Sequence, residues 1–215
     1  MRTLFLLKIL FVGNSLTYYN DLPSLVSEIA KEDGVTVSYK TIAFPDFSID
    51  DHLAGNSISN VFKKERFDLL IAQQGPSALP ESREILEASA IKLSKMCAPY
   101  KTDLALYMVW PELSRKYAYD DVIASYSNAA EKSNALLCPA GLAWKIALEK
   151  DQTLPLYGPD QFHPSIHGSV LAAMVIYATV NEKKDFDFLK TSKWKDISDS
   201  QLEVMKEAAL TALSR

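Results

Sequence analysis

Five apolar runs alternate with segments of helical period along this chain, and this alternation constrains the fold more than any other feature. The runs are predicted strands at 4–12, 35–42, 67–72, 103–109 and 135–138. Helices are predicted at about 21–33, 50–64, 82–97, 120–133, 170–180 and 200–213. Strands that alternate with helices are typical of βαβ units. The sequence therefore predicts an α/β fold, a three-layer α/β/α sandwich with about five parallel strands.

The composition fits one domain and excludes one class of partner. The 215 residues are 48% apolar and 23% charged, and no linker or shift in composition divides them, so a single domain over 1–215 is expected. The net charge is −4 without a basic cluster, which gives nucleic-acid binding no electrostatic support. Cys97 and Cys138 are 41 positions apart. Two buried, reduced thiols are predicted rather than a disulfide or a metal site.

The first residues are the ones that bear on localisation. Arg2 and the run from Thr3 to Leu7 look like a shortened secretory signal, but Lys8 interrupts the run and no small-residue cleavage site follows. A cytoplasmic protein is expected, and the other interpretation is an exported protein whose signal precedes this sequence. No apolar run reaches the length that a membrane-spanning helix needs.

A short polar motif, Gly13-Asn14-Ser15-Leu16-Thr17, follows the first predicted strand. The carboxyl ends of parallel strands meet at one edge of a sheet, where open α/β folds bind their ligands. The loops 45–47, 74–77 and 110–112 follow three other strands and are expected at the same edge. Ser15 is therefore predicted to lie in a crevice that these loops line.

Asp160 and His163 provide what a serine nucleophile needs. A serine hydroxyl reacts when a base takes its proton, and the base works best when a third group fixes its tautomer. In the turn-rich segment 157–164, the Asp160 carboxylate can reach Nδ1 of His163 and leave Nε2 for Ser15. Each residue also has a structural interpretation: Ser15 as a helix N-cap, His163 as a structural histidine, and Asp160 as a turn residue.

These two motifs resemble those of the SGNH/GDSL hydrolases. Residues 13–17 resemble the nucleophile motif, with Asn14 where the commoner form has Asp, and residues 160–165 resemble the closing Asp-x-x-His motif. The resemblance implies a flavodoxin-like fold and the hydrolysis of esters, often acetyl or other acyl groups on carbohydrate or lipid. It also implies Ser15 as nucleophile, His163 as base and Asp160 as its orienting partner, with no cofactor.

The two middle motifs depart from the family pattern. Asp46 occupies the place of a glycine whose N–H binds the oxyanion, so its amide remains while its carboxylate opposes negative charge. In the third motif Gly75 keeps its place and Ser77 replaces an asparagine. The Ser77 hydroxyl or the Gln74 amide is expected to complete the oxyanion hole, and the sequence leaves this choice open.

Three further residues are candidates for the substrate pocket: Asn14, Tyr18 and Trp110. The structural alternatives are that Tyr18 packs under the first helix and that Trp110 is a hydrophobic strand end. His52 is expected to be solvated. His167 lies four residues after His163, a spacing that suits metal, but Pro164 favours a helix-surface or core histidine.

The sequence thus predicts a serine esterase acting on a small ester, with no cofactor, no metal and no nucleic-acid partner. Two other functions stay open. One is a catalytically weak binding module on the same fold. The other is a metal-dependent phosphohydrolase that uses Asp160, His163 and His167. The acyl and alcohol parts of the substrate and the oligomeric state cannot be predicted from these residues.

Overall fold

A computed structural model describes residues 6–190 and 193–215 of the chain. The strands are β1 (Leu6–Gly13), β2 (Thr36–Ala43), β3 (Leu69–Ala72), β4 (Asp103–Tyr107) and β5 (Leu136–Cys138). The helices are α1 (Ser15–Tyr18), α2 (Leu22–Glu32), α3 (Ile49–Ala54), α4 (Ser57–Phe62), α5 (Pro80–Cys97), α6 (Tyr119–Ser133), α7 (Ala140–Lys150), α8 (Ile166–Val180) and α9 (Asp199–Leu213). Short 3₁₀ segments cover Tyr19–Asp21, Ala98–Tyr100 and Leu113–Ala118.

The five strands form one parallel sheet in the order β2-β1-β3-β4-β5. The chain moves from β1 to β2 in one direction and then returns past β1 to β3, β4 and β5. The strand order therefore reverses between β1 and β3, and a crevice opens at such a switch point, at the carboxyl ends of the strands. The loops after β1 and β3 leave the sheet at this position.

Helices cover both sides of the sheet, because right-handed crossovers in opposite directions place their helices on opposite faces. Helices α2 and α8 pack together, and α7 and α9 pack on α8. Helices α3, α5 and α6 form the other layer. Strand β3 and the second half of β1 are buried, which explains why they are nearly continuous apolar runs.

The predicted three-layer α/β/α architecture is confirmed, and two details of the helix prediction were wrong. The helix expected at 50–64 is two helices, α3 and α4, which Gly55 and Asn56 separate. Helix α7 was not predicted. Helix α9 is capped by Ser198, whose side chain accepts from the Gln201 N–H. Residues 4 and 5 of the first predicted strand lie outside the described residues.

No helix within residues 6–190 and 193–215 combines the length and apolar character needed to cross a bilayer. Both cysteines are buried, and each is a free thiol. Burial raises the pKa of the Cys97 thiol to about 12 and that of Cys138 to about 12, so both stay protonated at neutral pH.

Candidate active site

The turn after β1 presents Ser15 at the start of a short helix. Asn14 is the N-cap of α1, since its Oδ1 accepts a hydrogen bond from the Leu16 N–H at 3.1 Å. The capping role considered for Ser15 therefore belongs to Asn14. Ser15 is only partly buried, and its hydroxyl is directed to another partner.

That partner is His163, which lies 148 residues later in the sequence. The Ser15 Oγ is 2.8 Å from the Nε2 of His163, and the Nδ1 of His163 is 2.5 Å from the Oδ2 of Asp160. A carboxylate oxygen accepts, so Nδ1 carries the proton and Nε2 is left to accept from the serine hydroxyl. The three side chains predicted to act together thus form one chain of hydrogen bonds.

Asp160 organises the turn as well as the imidazole. Its Oδ1 accepts from the backbone N–H groups of Phe162, at 3.1 Å, and of His163, at 2.9 Å, while Oδ2 binds the ring. Burial opposes ionisation of this carboxyl, but the hydrogen bonds from the His163 ring and the two N–H groups hold its pKa below the usual value. Asp160 therefore stays ionised and holds one tautomer of His163.

Trp110 supports this turn from below and does not line the cavity, which differs from the position expected for it. It is completely buried, and its ring stacks on Trp144 with centroids 3.4 Å apart. Its Nε1 donates to the carbonyl of Phe162 at 3.1 Å, and the Leu113 N–H donates to the carbonyl of Gln161 at 2.9 Å. The segment after β4 therefore holds the residues on either side of Asp160–His163 in place.

Tyr19 covers one face of the histidine. The two rings are stacked, with centroids 4.6 Å apart and an interplanar angle of 20°. Tyr18, the neighbour predicted for the pocket, is exposed and is not among the residues that line the cavity beside Ser15. The aromatic side chain that contacts the site is thus the one at position 19.

Two backbone N–H groups point to an oxyanion site beside Ser15. Within the part of the chain that the structure describes, the N–H groups of Ser15 and Asp46 have no hydrogen-bond acceptor in the protein. Asp46 has a φ of 62°, the left-handed conformation that glycine adopts most easily and that aspartate tolerates better than most residues. Asp46 thus has a backbone conformation that a glycine would adopt without strain.

The side chains of Gln74 and Ser77 are bonded to each other. Gln74 Nε2 donates to the Ser77 Oγ at 2.8 Å, and its Oε1 accepts from the Ile49 N–H at 3.2 Å. The Ser77 hydroxyl donates to the carbonyl of Gly75 at 3.1 Å. The Ser77 proton is therefore occupied, whereas a carboxamide has a second N–H, and the one on Gln74 has no acceptor among residues 6–190 and 193–215.

Gln73, which the sequence analysis did not single out, joins the turns after β1 and β3. Its Oε1 accepts from the Asn14 N–H at 3.1 Å and from the Thr17 hydroxyl at 2.8 Å, and its Nε2 donates to the Asn14 Oδ1 at 3.0 Å. A Cβ at Gly13 would lie 2.4 Å from the Gln73 Oε1, so only glycine allows this approach. The side chain is buried, and a pair of glutamines at a strand end was the available signal.

His52 is buried, so the prediction of a solvated histidine was wrong. Its Nε2 donates to the carbonyl of Gly13 at 2.8 Å, and its ring contacts those of Phe44 and Phe47. The Nδ1 atom has no partner among the described residues. Burial lowers the pKa of His52, although the hydrogen bond to Gly13 and the charge of Asp51 act to raise it. The ring therefore stays neutral at neutral pH.

His167 is a buried histidine of helix α8. Its Nε2 lies 3.3 Å from the Oε1 of Gln201 in α9, so it faces a neighbouring helix. In residues 6–190 and 193–215 no three His, Cys, Asp or Glu side chains are grouped so as to hold a metal ion. The phosphohydrolase interpretation, which needed His167 beside His163, therefore gains no geometric support.

A cavity of about 350 Å³ opens beside Ser15. It is lined by Asn14, Ser15, Asp46, Phe47, Ser48, Gln74, Gly75, Pro76, Ser77, Ser82, Ile85 and Phe162. All four residues expected at the oxyanion side thus lie together with Ser15. A larger cavity of about 630 Å³ is lined mainly by residues of α6 to α9 and β5, and Ser15, Asp160 and His163 are not among them.

Comparisons with known proteins identify the fold. No protein-family model and no curated protein matches the chain. Among solved structures, it is similar to a DUF4886 family protein from Bacteroides uniformis (16% identity over 97% of this chain and 95% of that one, TM-score 0.83). It is also similar to a candidate SGNH hydrolase from Slackia heliotrinireducens (23% identity over 82% of this chain and 100% of that one, TM-score 0.68). A third similar structure is an acetyl xylan esterase from Geobacillus stearothermophilus (15% identity over 85% of this chain and 95% of that one, TM-score 0.62). The chain therefore has the fold of the SGNH/GDSL hydrolases, as its two end motifs predict.

Proposed function

We propose that this protein is a serine esterase that cleaves a small ester through an acyl-enzyme. The observation that carries the proposal is the hydrogen-bonded chain Ser15–His163–Asp160, with contacts of 2.8 and 2.5 Å, at the mouth of a cavity. The similarity to esterases and lipases supports a hydrolase at the level of the fold.

In this mechanism the Ser15 oxygen attacks the ester carbonyl while His163 Nε2 takes the hydroxyl proton. The imidazolium that forms is stabilised by the Asp160 carboxylate and then gives its proton to the leaving alcohol. Water, activated by the same nitrogen, releases the acid and restores the serine. Each step uses the one tautomer of His163 that Asp160 holds.

Negative charge on the carbonyl oxygen would be stabilised by three donors. They are the backbone N–H groups of Ser15 and Asp46 and the second amide N–H of Gln74. All three residues line the same cavity, and these N–H groups have no acceptor among the described residues. Donors fixed by the fold stabilise a developing charge without having to reorient, which is why they contribute strongly to catalysis.

The small cavity favours a short acyl or acetyl group, and the acetyl xylan esterase among the similar structures makes an acylated carbohydrate a reasonable substrate to test. A binding module is the second candidate function. The altered second and third motifs suggested it, but the hydrogen-bonded chain Ser15–His163–Asp160 and the free donors favour the enzyme.

The test uses 4-nitrophenyl acetate and a fluorophosphonate probe. Ser15→Ala should abolish turnover and labelling while its circular dichroism spectrum stays that of the parent protein. Ser82→Ala is the matched control, because Ser82 lines the same cavity but its hydroxyl binds the Leu79 carbonyl. Turnover at the parent rate in Ser15→Ala would refute the assignment, and a parent protein that neither turns over esters nor takes the probe would favour the binding module.

A further inference from the structure

A second cavity, of about 290 Å³, lies beside the one that holds Ser15. The two share the residues Pro76, Ser77, Ser82 and Phe162 as walls. The second cavity therefore adjoins the Ser15 cavity on the side of Phe162, the neighbour of His163. The remaining walls are Ala78, Leu79, Pro111, Glu112, Arg115 and Ala118.

Arg115 is the cation of this second cavity. Its side chain makes no hydrogen bond or ion pair within residues 6–190 and 193–215, whereas Arg66 binds the Tyr100 carbonyl and Arg83 binds Ser125 and Asp121. A guanidinium presents several N–H donors in a planar fork that matches a carboxylate or phosphate. Arg115 is thus free to bind an anion that enters the cavity.

The segment that carries Arg115 is fixed relative to the catalytic histidine. The Tyr157 hydroxyl donates to the Pro111 carbonyl at 2.8 Å, and the Leu113 N–H donates to the Gln161 carbonyl at 2.9 Å. These bonds join the segment to the loop of His163 at two points. The backbone that carries Arg115 therefore needs no rearrangement when a ligand binds, and only the side chain loses conformational entropy.

Glu112 brings one negative charge to the same cavity, but its carboxylate already has a partner. Its Oε1 accepts from the Ser114 hydroxyl at 2.7 Å. The carboxylate of Glu112 is therefore engaged within its own loop while the guanidinium of Arg115 is not. Together, the Arg115 cation and the Glu112 carboxylate would favour a ligand with one negative charge next to Arg115 over a highly charged ligand.

We propose that the second cavity is a subsite for an anionic group, a carboxylate or a phosphate, that the ester carries away from its scissile bond, and that Arg115 binds this group. The inference rests on the proposed function, because the second cavity adjoins the esterase site. It narrows the substrate class to esters whose acyl or alcohol part bears a negative charge. The shared chemistry is the anion, and the test distinguishes the two parts of the ester that can carry it.

Two pairs of esters measure the preference through kcat/KM. For the acyl side, the 4-nitrophenyl monoester of adipic acid is compared with 4-nitrophenyl hexanoate. For the alcohol side, 4-acetoxybenzoate is compared with its methyl ester. In one pair, Arg115→Met should lower the kcat/KM of the anionic ester relative to that of the neutral ester by up to about fivefold. This is the upper end of the effect of an ion pair at an exposed site, and Arg115 is exposed. The pair that responds identifies the side on which the anion lies.

Lys116→Met is the matched control, because Lys116 is an exposed cation of the same loop that does not line the cavity. It should leave both ratios unchanged, and Glu112→Gln should raise the ratio that Arg115→Met lowers. Equal losses in Arg115→Met and Lys116→Met, or no change in either ratio, would overturn the subsite.

Binding measured without turnover separates failure of the subsite from failure of the proposed function. In a Ser15→Ala background, calorimetry with the adipic monoester and with 4-acetoxybenzoate should give a Kd about fivefold weaker for one of them when Arg115→Met is added. If adding Arg115→Met changes the Kd of neither ligand, the subsite is refuted even in an active esterase. A parent protein that hydrolyses none of the four esters would refute the esterase alone.

Discussion

The oxyanion hole offers the sharpest test of the proposed mechanism, because two neighbouring side chains compete for one role. Gln74 and Ser77 both line the cavity, and each was a candidate from sequence. The Ser77 proton is directed to the Gly75 carbonyl, whereas the second N–H of Gln74 has no acceptor in the described part of the chain. Gln74 is therefore expected to be the donor and Ser77 to be its support.

The test replaces each side chain with the residue that its backbone tolerates. Gln74→Leu removes the donor and keeps a similar volume. At Ser77 the φ is 57°, so glycine removes the hydroxyl without strain, while alanine would add it. Loss of one oxyanion donor typically costs a factor of about 10²–10³ in kcat, which we expect for Gln74→Leu. For Ser77→Gly we expect a loss of about tenfold or less, because the Gln74 amide loses one neutral hydrogen bond that positions it.

Steady-state kinetics with 4-nitrophenyl acetate, with active sites counted by the fluorophosphonate probe, separates a slow enzyme from an unfolded one. Gln74→Leu also leaves the Ile49 N–H without its acceptor, which is expected to lower the free energy of unfolding by about 1–3 kcal/mol. Urea unfolding measures that loss separately. The reverse order, with Ser77→Gly losing more than 10²-fold and Gln74→Leu nearly intact, would show that Ser77 is the donor.

Three further predictions concern residues around the triad. Tyr19→Leu should lower kcat about threefold to tenfold, because the stacked ring holds His163 in place. Tyr19→Phe keeps the ring and should stay near the parent value. Equal kcat values in the parent protein and both variants would exclude this role. Because the pKa of His52 is lowered by folding, the unfolded chain binds a proton first as pH falls below about 6.5, and the free energy of unfolding should decrease. His52→Gln should show a smaller decrease between pH 8 and pH 5 in urea unfolding, and an identical slope would contradict the burial argument. Asp46→Gly keeps the backbone N–H at a φ of 62° and removes a carboxylate beside the oxyanion, so kcat should rise about fivefold, and a lower kcat would refute this reasoning.

The strands could be predicted because buried parallel strands are continuous apolar runs bounded by turns, as residues 69–72 are. Helix α7 could not, because it buries side chains around most of its circumference, from Ala140 to Trp144 and Ala147, and has no single apolar stripe. Gly141 packs so closely on the Val109 carbonyl that a Cβ at this position would lie 2.0 Å from the carbonyl oxygen. This contact depends on tertiary packing, which no local sequence pattern indicates.

Much of the candidate site could be located from the sequence for a topological reason. Ser15, Asp46 and Gln74 follow strands of one parallel sheet, so their convergence follows from the strand directions alone. The partners that hold these loops come from distant elements. The Tyr126 hydroxyl of α6 donates to the Gln74 carbonyl at 2.7 Å, and Ser125 donates to the Ser77 carbonyl at 2.7 Å. No periodicity or motif distinguishes these two from other residues on the buried side of an amphipathic helix.

The departures from the family pattern are consistent with unchanged chemistry once backbone conformation is considered. Asp46 stands in the place of glycine and has a φ of 62°, and Ser77 stands in the place of asparagine and has a φ of 57°. Both are in the left-handed region, which glycine and asparagine adopt more readily than most residues. An oxyanion responds to where a donor lies and not to which residue carries it. Under the proposed mechanism the Asp46 amide keeps its place, and the donor that asparagine would supply comes from Gln74, which Ile49 and Ser77 hold at the end of β3. The altered motifs would then place one oxyanion donor at position 74 instead of position 77, and the arrangement of donors around the substrate would be preserved.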